Sequence, residues 1–152
     1  MRNRISFVTV TFVLLTLFNP VSLAKACGDK ENTVGSVKVR TELSEAKNYY
    51  NKKQYNKSIE LYKKITLENP NCAGAFHMLG KSYGRLAQNS NWFKAMKYAK
   101  KTGVAFEKAY KLDPISKEIK TDLIEFYDEA PSFLGGNSKK ANTLKIKKLK
   151  GK

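Results

Sequence analysis

Helical spacing of apolar residues, broken by short polar turns, is the feature that most constrains this chain. From about Thr41 almost to the C-terminus, apolar residues recur with helical spacing, and no stretch shows the alternation that a strand requires. Asparagine and proline clusters interrupt the pattern, because proline disfavours a helical conformation in the residue before it. The pattern predicts an all-α fold. Its segments are 41–52, 55–68, 73–87, 92–112, 117–129 and a lysine-rich sixth that starts near Ser138.

The first residues have the order of a secretory signal. Arg2 and Arg4 form a basic head, 5–18 is an apolar run with threonines, and 21–24 ends in small residues. The apolar run is shorter than the roughly 20 residues that span a bilayer. We therefore expect a cleaved signal, and a retained membrane anchor is the alternative. We expect an exported chain, periplasmic or secreted. The predicted divisions are a signal over 1–24, a flexible leader over 25–38, a helical repeat domain over 39–144 and a lysine-rich tail over 145–152.

Export decides which chemistry is expected of the two cysteines, Cys27 and Cys72. Cleavage after Ala24 would leave Cys27 near the new terminus, whereas cleavage after Ala26 would make it the first residue and a site for a bacterial lipid anchor. Lys25 stands against the lipid, since such signals carry a small uncharged residue there. In an oxidising compartment Cys27 and Cys72 would form a disulfide worth about 3–4 kcal/mol. Two unpaired thiols are the alternative, and no metal-binding spacing is present, so we expect no metal or cofactor.

The chain is strongly basic, with a formal net charge of +16. Removing 1–24, which holds two arginines and no acids, leaves +14. Such a charge favours acidic partners: polyanions, anionic lipid head groups or acidic protein faces. Nucleic acid is not expected, because an exported chain rarely meets it. Lysine outnumbers arginine, which indicates general attraction rather than bidentate recognition.

An internal period makes the fold prediction more specific. The segment FHMLGKSY (76–83) carries an aromatic residue, a leucine, a glycine and a tyrosine at spacings of three, one and three. Two further segments, 54–70 and 106–114, have an aromatic residue eight positions before their closing proline. These features resemble the tetratricopeptide repeat, a 34-residue helical hairpin. The resemblance implies a solenoid of about two and a half to three repeats, in which small residues such as Gly80 let helices approach closely.

The repeat copies are unequal. The first runs from Val39 to Cys72, the second from Ala73 to Ser116 with extra residues, and the third begins at Lys117 without its closing proline. The segment FYDEAPSFLGG (126–136) also resembles a group of exported bacterial tetratricopeptide proteins. That resemblance covers roughly 40–141 and implies an envelope setting. Gly103, inside the fourth segment, predicts a close contact or a bend.

In tetratricopeptide proteins the first helices of successive repeats line a concave groove that binds a peptide or protein. Carried over by position, the groove would be basic in the first two repeats and acidic in the third, which would orient a peptide; a solvated charged face is the alternative. We expect an adaptor or scaffold of the bacterial envelope, and alternatively a basic protein attached to anionic lipid or glycan through its lysines. The groove residues are Arg40, Leu43, Lys47, Tyr50, His77, Lys81, Arg85, Glu125 and Asp128.

Nothing in the sequence indicates catalysis. His77 is the single histidine, and exposure in the groove is its one distinction, with no nucleophile or orienting carboxylate beside it. Trp92 and Phe93 lie at helical spacing with later apolar residues, which predicts that they are core.

The tail holds seven lysines between Lys139 and Lys152. As a helix it would place Ala141, Leu144 and Leu149 on one side and close the third repeat. Alternatively it stays loose and is attracted to an anionic surface, at about 1 kcal/mol per lysine.

Overall fold

The structure, a computed structural model, describes Cys27 and residues 34–150, with the side chains of Cys27 and 37–146. Within that part of the chain there are helices and turns but no strand, so the predicted all-α fold is confirmed there. The predicted signal and most of the predicted leader lie outside the described residues. The helices are α1 (Val34–Asn51), α2 (Tyr55–Glu68), α3 (Ala73–Gln88), α4 (Trp92–Leu112), α5 (Lys117–Glu129) and α6 (Ser138–Lys150), with a short 3-10 turn at Ser132–Leu134.

The predicted helix bounds agree with the observed ones except at the start. α1 begins at Val34 rather than near Thr41, so 34–38 of the predicted flexible leader is helical. Gly35, which is unfavourable inside a helix, falls in the first helical turn, where the backbone N–H groups have no partner within the helix and such a residue costs little.

Side-chain caps explain where four helices begin, among them α6, where Asn137 Oδ1 accepts a hydrogen bond from the backbone N–H of Lys140. Asn91 accepts a hydrogen bond from the backbone N–H of Lys94, and Ser116 before α5 accepts one from the backbone N–H of Ile119. The Cys72 sulfur occupies the same position before α3 and accepts from Ala75.

Consecutive helices pack against each other, so α1–α2, α3–α4 and α5–α6 form hairpins. The apolar residues fall into two main clusters that meet where Ala105 and Phe106 stand side by side in α4. Burial of Tyr62 in the first raises its pKa to about 12. The first cluster is Ala46, Ile59, Tyr62, Ile65, Cys72, Ala75, Leu79, Tyr83 and Ala105. The second is Phe106, Leu123, Ile124, Tyr127, Ala141 and Leu144.

Two glycines allow the helices to approach closely. A Cβ added at Gly80 in α3 would lie 2.5 Å from the Phe106 ring of α4. A Cβ at Gly103 in α4 would lie 2.5 Å from the ring of Phe126 in α5. Gly103 therefore marks a close contact, which was one of its two predicted roles.

The lysine-rich end is partly structural. Ala141 and Leu144 of α6 are buried against α5, which supports the interpretation of the tail as a closing helix. The side chain of Leu149 lies outside the described residues. No described helix has the length and apolar character needed to cross a membrane.

Trp92 and Phe93 were predicted as core, and that prediction is wrong. Their side chains are 63% and 79% exposed. The fully buried residues of α4 begin only at Thr102, and the half-buried Tyr98 packs on Tyr83 of α3, so Trp92 and Phe93 lie beyond the well-packed part of the helix. Helical spacing locates a face of a helix but does not show whether anything packs against it.

Candidate functional site

The α1 part of the predicted groove is largely solvent-facing. Arg40 and Lys47 are exposed on α1, along a shallow open depression that also includes Ser44 and Asn51. Leu43 behaves differently, because it is half-buried and packs against the first apolar cluster. Leu43 therefore contributes to packing on the core, and its role in the groove stays a prediction.

Tyr50 of α1 and Arg85 of α3 make a polar contact between these helices, which we call the α1–α3 joint. The Arg85 Nε donates a hydrogen bond to the Tyr50 hydroxyl at 3.4 Å, and its Nη1 donates to Gln88 Oε1 at 3.2 Å. Tyr50 also makes an edge-on contact with Tyr55, with ring centroids 5.6 Å apart. Arg85 is exposed and Tyr50 half-buried, so this joint is open to water.

Four charged or polar side chains bridge α3 and α5, and we call them the α3–α5 joint; Ala73 and Ile119 also bring the two helices into one apolar cluster. His77 Nε2 lies 2.7 Å from Asp122 Oδ2. Lys81 Nζ lies 3.1 Å from Glu118 Oε1 and 3.7 Å from Asp122 Oδ2. His77 and Lys81 are four residues apart on α3, and Glu118 and Asp122 are four residues apart on α5. Residues with this spacing share one face of a helix, so the two faces meet.

His77 is therefore not a groove residue. Its side chain is only 6% exposed, and its ring lies 5.7 Å from that of Phe106. The prediction of an exposed histidine without a carboxylate is wrong, because α3 turns His77 toward α5 and Asp122 accepts its hydrogen bond. Asp122 was missing from the predicted site. The signal that could have identified it is the matched spacing of His77–Lys81 and Glu118–Asp122.

Charges in the α3–α5 joint stabilise each other. Partial burial, the largest single influence, raises the pKa of Asp122, but the hydrogen bond and charge of His77 and the charge of Lys81 together lower it below its ordinary value. Burial likewise opposes the charge on Lys81. The hydrogen bond to Glu118 and the charges of Asp122 and Glu118 outweigh this, so the pKa of Lys81 is raised.

The donor atoms of His77, Glu118 and Asp122 lie within 4.8 Å of one another, and such donors can hold a divalent metal ion. The ammonium of Lys81 already contacts both carboxylates, so a metal ion would have to displace it. The geometry favours an ion-pair network. Among the described residues the hydrogen bond of the His77 side chain goes to Asp122, and no hydroxyl or thiol is bonded to it.

The predicted acidic end of the groove divides between two helices. Glu125 is exposed on α5, as expected. Asp128 Oδ2 lies 2.7 Å from Lys145 Nζ, so Asp128 belongs to the contact with α6. The role of Asp128 in the groove stays a prediction, with Lys145 already paired to its carboxylate.

Glu107 links α4 to the lysine-rich end. It accepts a hydrogen bond from the Tyr127 hydroxyl at 2.5 Å and one from Lys140 Nζ at 3.0 Å. The Tyr127 hydrogen bond and Lys140 lower the pKa of Glu107 despite its partial burial. Two lysines of the predicted tail and its border, Lys140 and Lys145, are therefore engaged in ion pairs.

Cys27 and Cys72 are joined by a disulfide, with their Cα atoms 4.9 Å apart. The bond ties the leader to the residue that caps α3, and the Cys27 sulfur lies beside Gly74 in the first turn of that helix. Of the two predicted states of these cysteines, the structure has the paired one.

No family model matches the chain, and neither the curated proteins nor the solved structures include a significant match. In its described residues the chain is an all-α protein built of helical hairpins, with polar contacts between successive hairpins.

Proposed function

We propose that this chain is an exported helical-repeat adaptor of tetratricopeptide type, which binds a peptide or protein segment on the surface formed by α1, α3 and α5. The observation that carries the proposal is the pair of joints. Tyr50–Arg85 connects α1 to α3, and Lys81–Glu118 connects α3 to α5. Because α2 and α4 separate these helices in sequence, such contacts arise when the first helices of successive hairpins lie side by side.

The charge of this surface favours an acidic ligand. Arg40, Lys47 and Arg85 form its basic end, which we define by these three residues. Lys81 contributes less to attraction because Glu118 and Asp122 already neutralise it. The exposed Glu125 marks the opposite end, so an acidic segment would bind nearer to α1 than to α5.

Export is part of the proposal. It is supported by the basic, apolar and small-residue order of 1–24 and by a disulfide, which persists in oxidising compartments. A lipid anchor at Cys27 and the disulfide exclude each other, since both need the same sulfur. We therefore propose release of the chain after cleavage. The mass of its native N-terminus checks this, and a lipid mass on Cys27 would contradict it.

Binding is tested by quantitative capture from envelope extract. The variant Lys47→Glu with Arg85→Glu reverses two charges at the basic end and should weaken capture by at least about tenfold. The control, Lys63→Glu with Lys111→Glu, makes the same change in net charge at exposed positions of α2 and α4 and should retain capture. Equal loss in both variants would show that binding follows total charge and not this surface.

Ionic strength separates the proposal from general polyanion attraction. Contacts between exposed charges are screened beyond about 8 Å at physiological salt. Groove binding should be partly retained when salt is raised, because packing and hydrogen bonds remain. Complete loss at high salt, together with equal binding to a soluble polyanion, would contradict an adaptor role.

A further inference from the structure

The start of α4 exposes two large aromatic side chains next to each other. Trp92 and Phe93 are 63% and 79% exposed, and Val104 on the Phe93 side of the helix is 69% exposed. Isolated exposed apolar residues are common on protein surfaces. An adjacent pair of exposed aromatic side chains at one helix end is a larger apolar surface, and such surfaces are typical of interaction sites.

Lysines surround this pair. Lys94, Lys97 and Lys100 are exposed on the first turns of α4, and the helix contains no acidic residue before Glu107. In the part of the chain with described side chains, none of these three lysines has a carboxylate within ion-pair distance. The positive charge at this end of α4 is therefore not neutralised locally.

Another exposed apolar residue shows what is particular to α4. Leu67 in α2 is 81% exposed, but its neighbour Glu68 is acidic and pairs with Lys38 and Lys64. Exposure alone therefore does not distinguish α4. The combination of adjacent aromatic rings with unpaired lysines does.

We propose that the start of α4, where Phe93, Lys97 and Lys100 lie on one face and Trp92 and Lys94 flank that face on either side, contacts the surface of an anionic lipid bilayer. Aromatic side chains are stable at the head-group level, where the ring leaves water and the Trp92 indole N–H keeps a polar partner. Lysines beside them are attracted to the lipid phosphates. A soluble polyanion would pair with the lysines but would leave the rings in water, so a bilayer is the better match for this face.

This contact does not depend on the proposed groove, because α4 contributes none of the groove residues. It also differs from attachment through the lysine-rich tail, where Lys140 and Lys145 are already paired with carboxylates. Failure of either proposal leaves the other standing, since the two use different helices and different variants.

Trp92 is the single tryptophan of the chain and reports directly on its own environment. The purified protein with its native N-terminus is mixed with vesicles of phosphatidylglycerol and phosphatidylcholine, or of phosphatidylcholine alone. Trp92 emission should shift to shorter wavelength with the anionic vesicles only, and brominated acyl chains should quench it. Insertion of the N-terminal apolar run, if retained, would also bind neutral vesicles and would leave Trp92 emission unchanged.

Two variants with matched controls test the residues. Phe93→Ser keeps the Trp92 probe and should weaken vesicle binding about fivefold, whereas Leu67→Ser should not. Lys97→Glu with Lys100→Glu should weaken it by at least about twentyfold. The control for charge, Lys63→Glu with Lys117→Glu, should change it by less than about threefold because those sites lie on other helices.

Three results would overturn the proposal. One is vesicle binding with no shift or quenching of Trp92. Another is an equal loss of affinity in the α4 variants and their controls. The third is a Trp92 shift of the same size with a soluble polyanion, heparin, in the absence of lipid.

Discussion

The α1–α3 joint and the α3–α5 joint connect the same kind of helices with different chemistry. In the first, an exposed guanidinium donates to a phenol at 3.4 Å. In the second, a buried imidazole and a half-buried ammonium meet two carboxylates, at 2.7 Å for His77 and 3.1 Å for Lys81. Water can replace the partners of the first joint, whereas His77 in the second has little access to water.

The difference teaches that similar hairpins need not be joined with equal strength. Removing one partner from a desolvated charged contact leaves a polar group that neither protein nor water satisfies, and this costs more than the contact itself contributes. Removing one partner from an exposed contact costs little, since water replaces it. We therefore expect α5 to be fixed to α3 by its polar contacts, while α1 relies mainly on apolar packing against α2.

The largest effect is expected for Asp122→Ala. His77 would lose its acceptor while buried, so the free energy of unfolding should fall by about 2–4 kcal/mol. Urea unfolding monitored by circular dichroism measures it. The control is Glu125→Ala, an exposed carboxylate on the same helix, which should change stability by less than about 0.5 kcal/mol. Equal effects of the two substitutions would mean that the α3–α5 joint is no stronger than an ordinary surface contact.

The next effect concerns Phe106, whose ring lies beside His77 and also contacts Gly80. Gly80→Ala places a methyl group 2.5 Å from that ring, so the ring must move and stability should fall by about 1–3 kcal/mol. Gly84→Ala in the same helix is the matched control. There the nearest atoms, those of Thr102, are 3.7 Å away, so the helix preference for alanine should stabilise by up to about 1 kcal/mol.

We expect the change in the free energy of unfolding to have opposite signs in the two variants: a decrease for Gly80→Ala and an increase for Gly84→Ala. Thermal and urea unfolding measure it. Both replace a glycine of α3 by alanine and differ mainly in the space available. Stabilisation by Gly80→Ala would show that Phe106 moves aside freely and that the layer under the α3–α5 joint is loosely packed.

Acid should weaken the α3–α5 joint through Asp122. The pKa of this carboxyl is lowered from its ordinary 3.8 in the folded protein, so its stabilisation is fully present above 3.8 and is lost as pH falls through the folded value. The difference in unfolding free energy between the native chain and Asp122→Asn should be constant near neutral pH. It should shrink toward zero below the ordinary pKa, because protonated aspartic acid resembles asparagine.

The comparison uses the same denaturant titration at a series of pH values. Glu107 also has a lowered pKa, but it is present in both proteins and cancels in the difference. A difference that persists unchanged well below pH 3.8 would show that the charge of Asp122 is not what stabilises the joint.

Local signals explain why most of the fold could be predicted. Proline, asparagine and apolar spacing act within a few residues, so the bounds of α2, α4 and α5 follow from the sequence. The α3–α5 joint could not be found in this way, because His77 and Asp122 are 45 residues apart and meet only through packing. The position of His77 within the repeat predicted that it faces the groove. Its actual direction also depends on how α5 packs against α3, which the repeat pattern does not specify.

The smallest effect is expected at the α1–α3 joint. Tyr50→Phe removes the hydroxyl that accepts from Arg85 and leaves the contact with the Tyr55 ring, so stability should fall by less than about 0.5 kcal/mol. Arg85 would turn to water, because it is exposed and retains its bond to Gln88. In the capture assay, however, the same substitution frees the guanidinium to pair with an acidic ligand. Unchanged or tighter capture is expected, whereas a loss above about 1 kcal/mol of stability would show that the joint is stronger than its exposure implies.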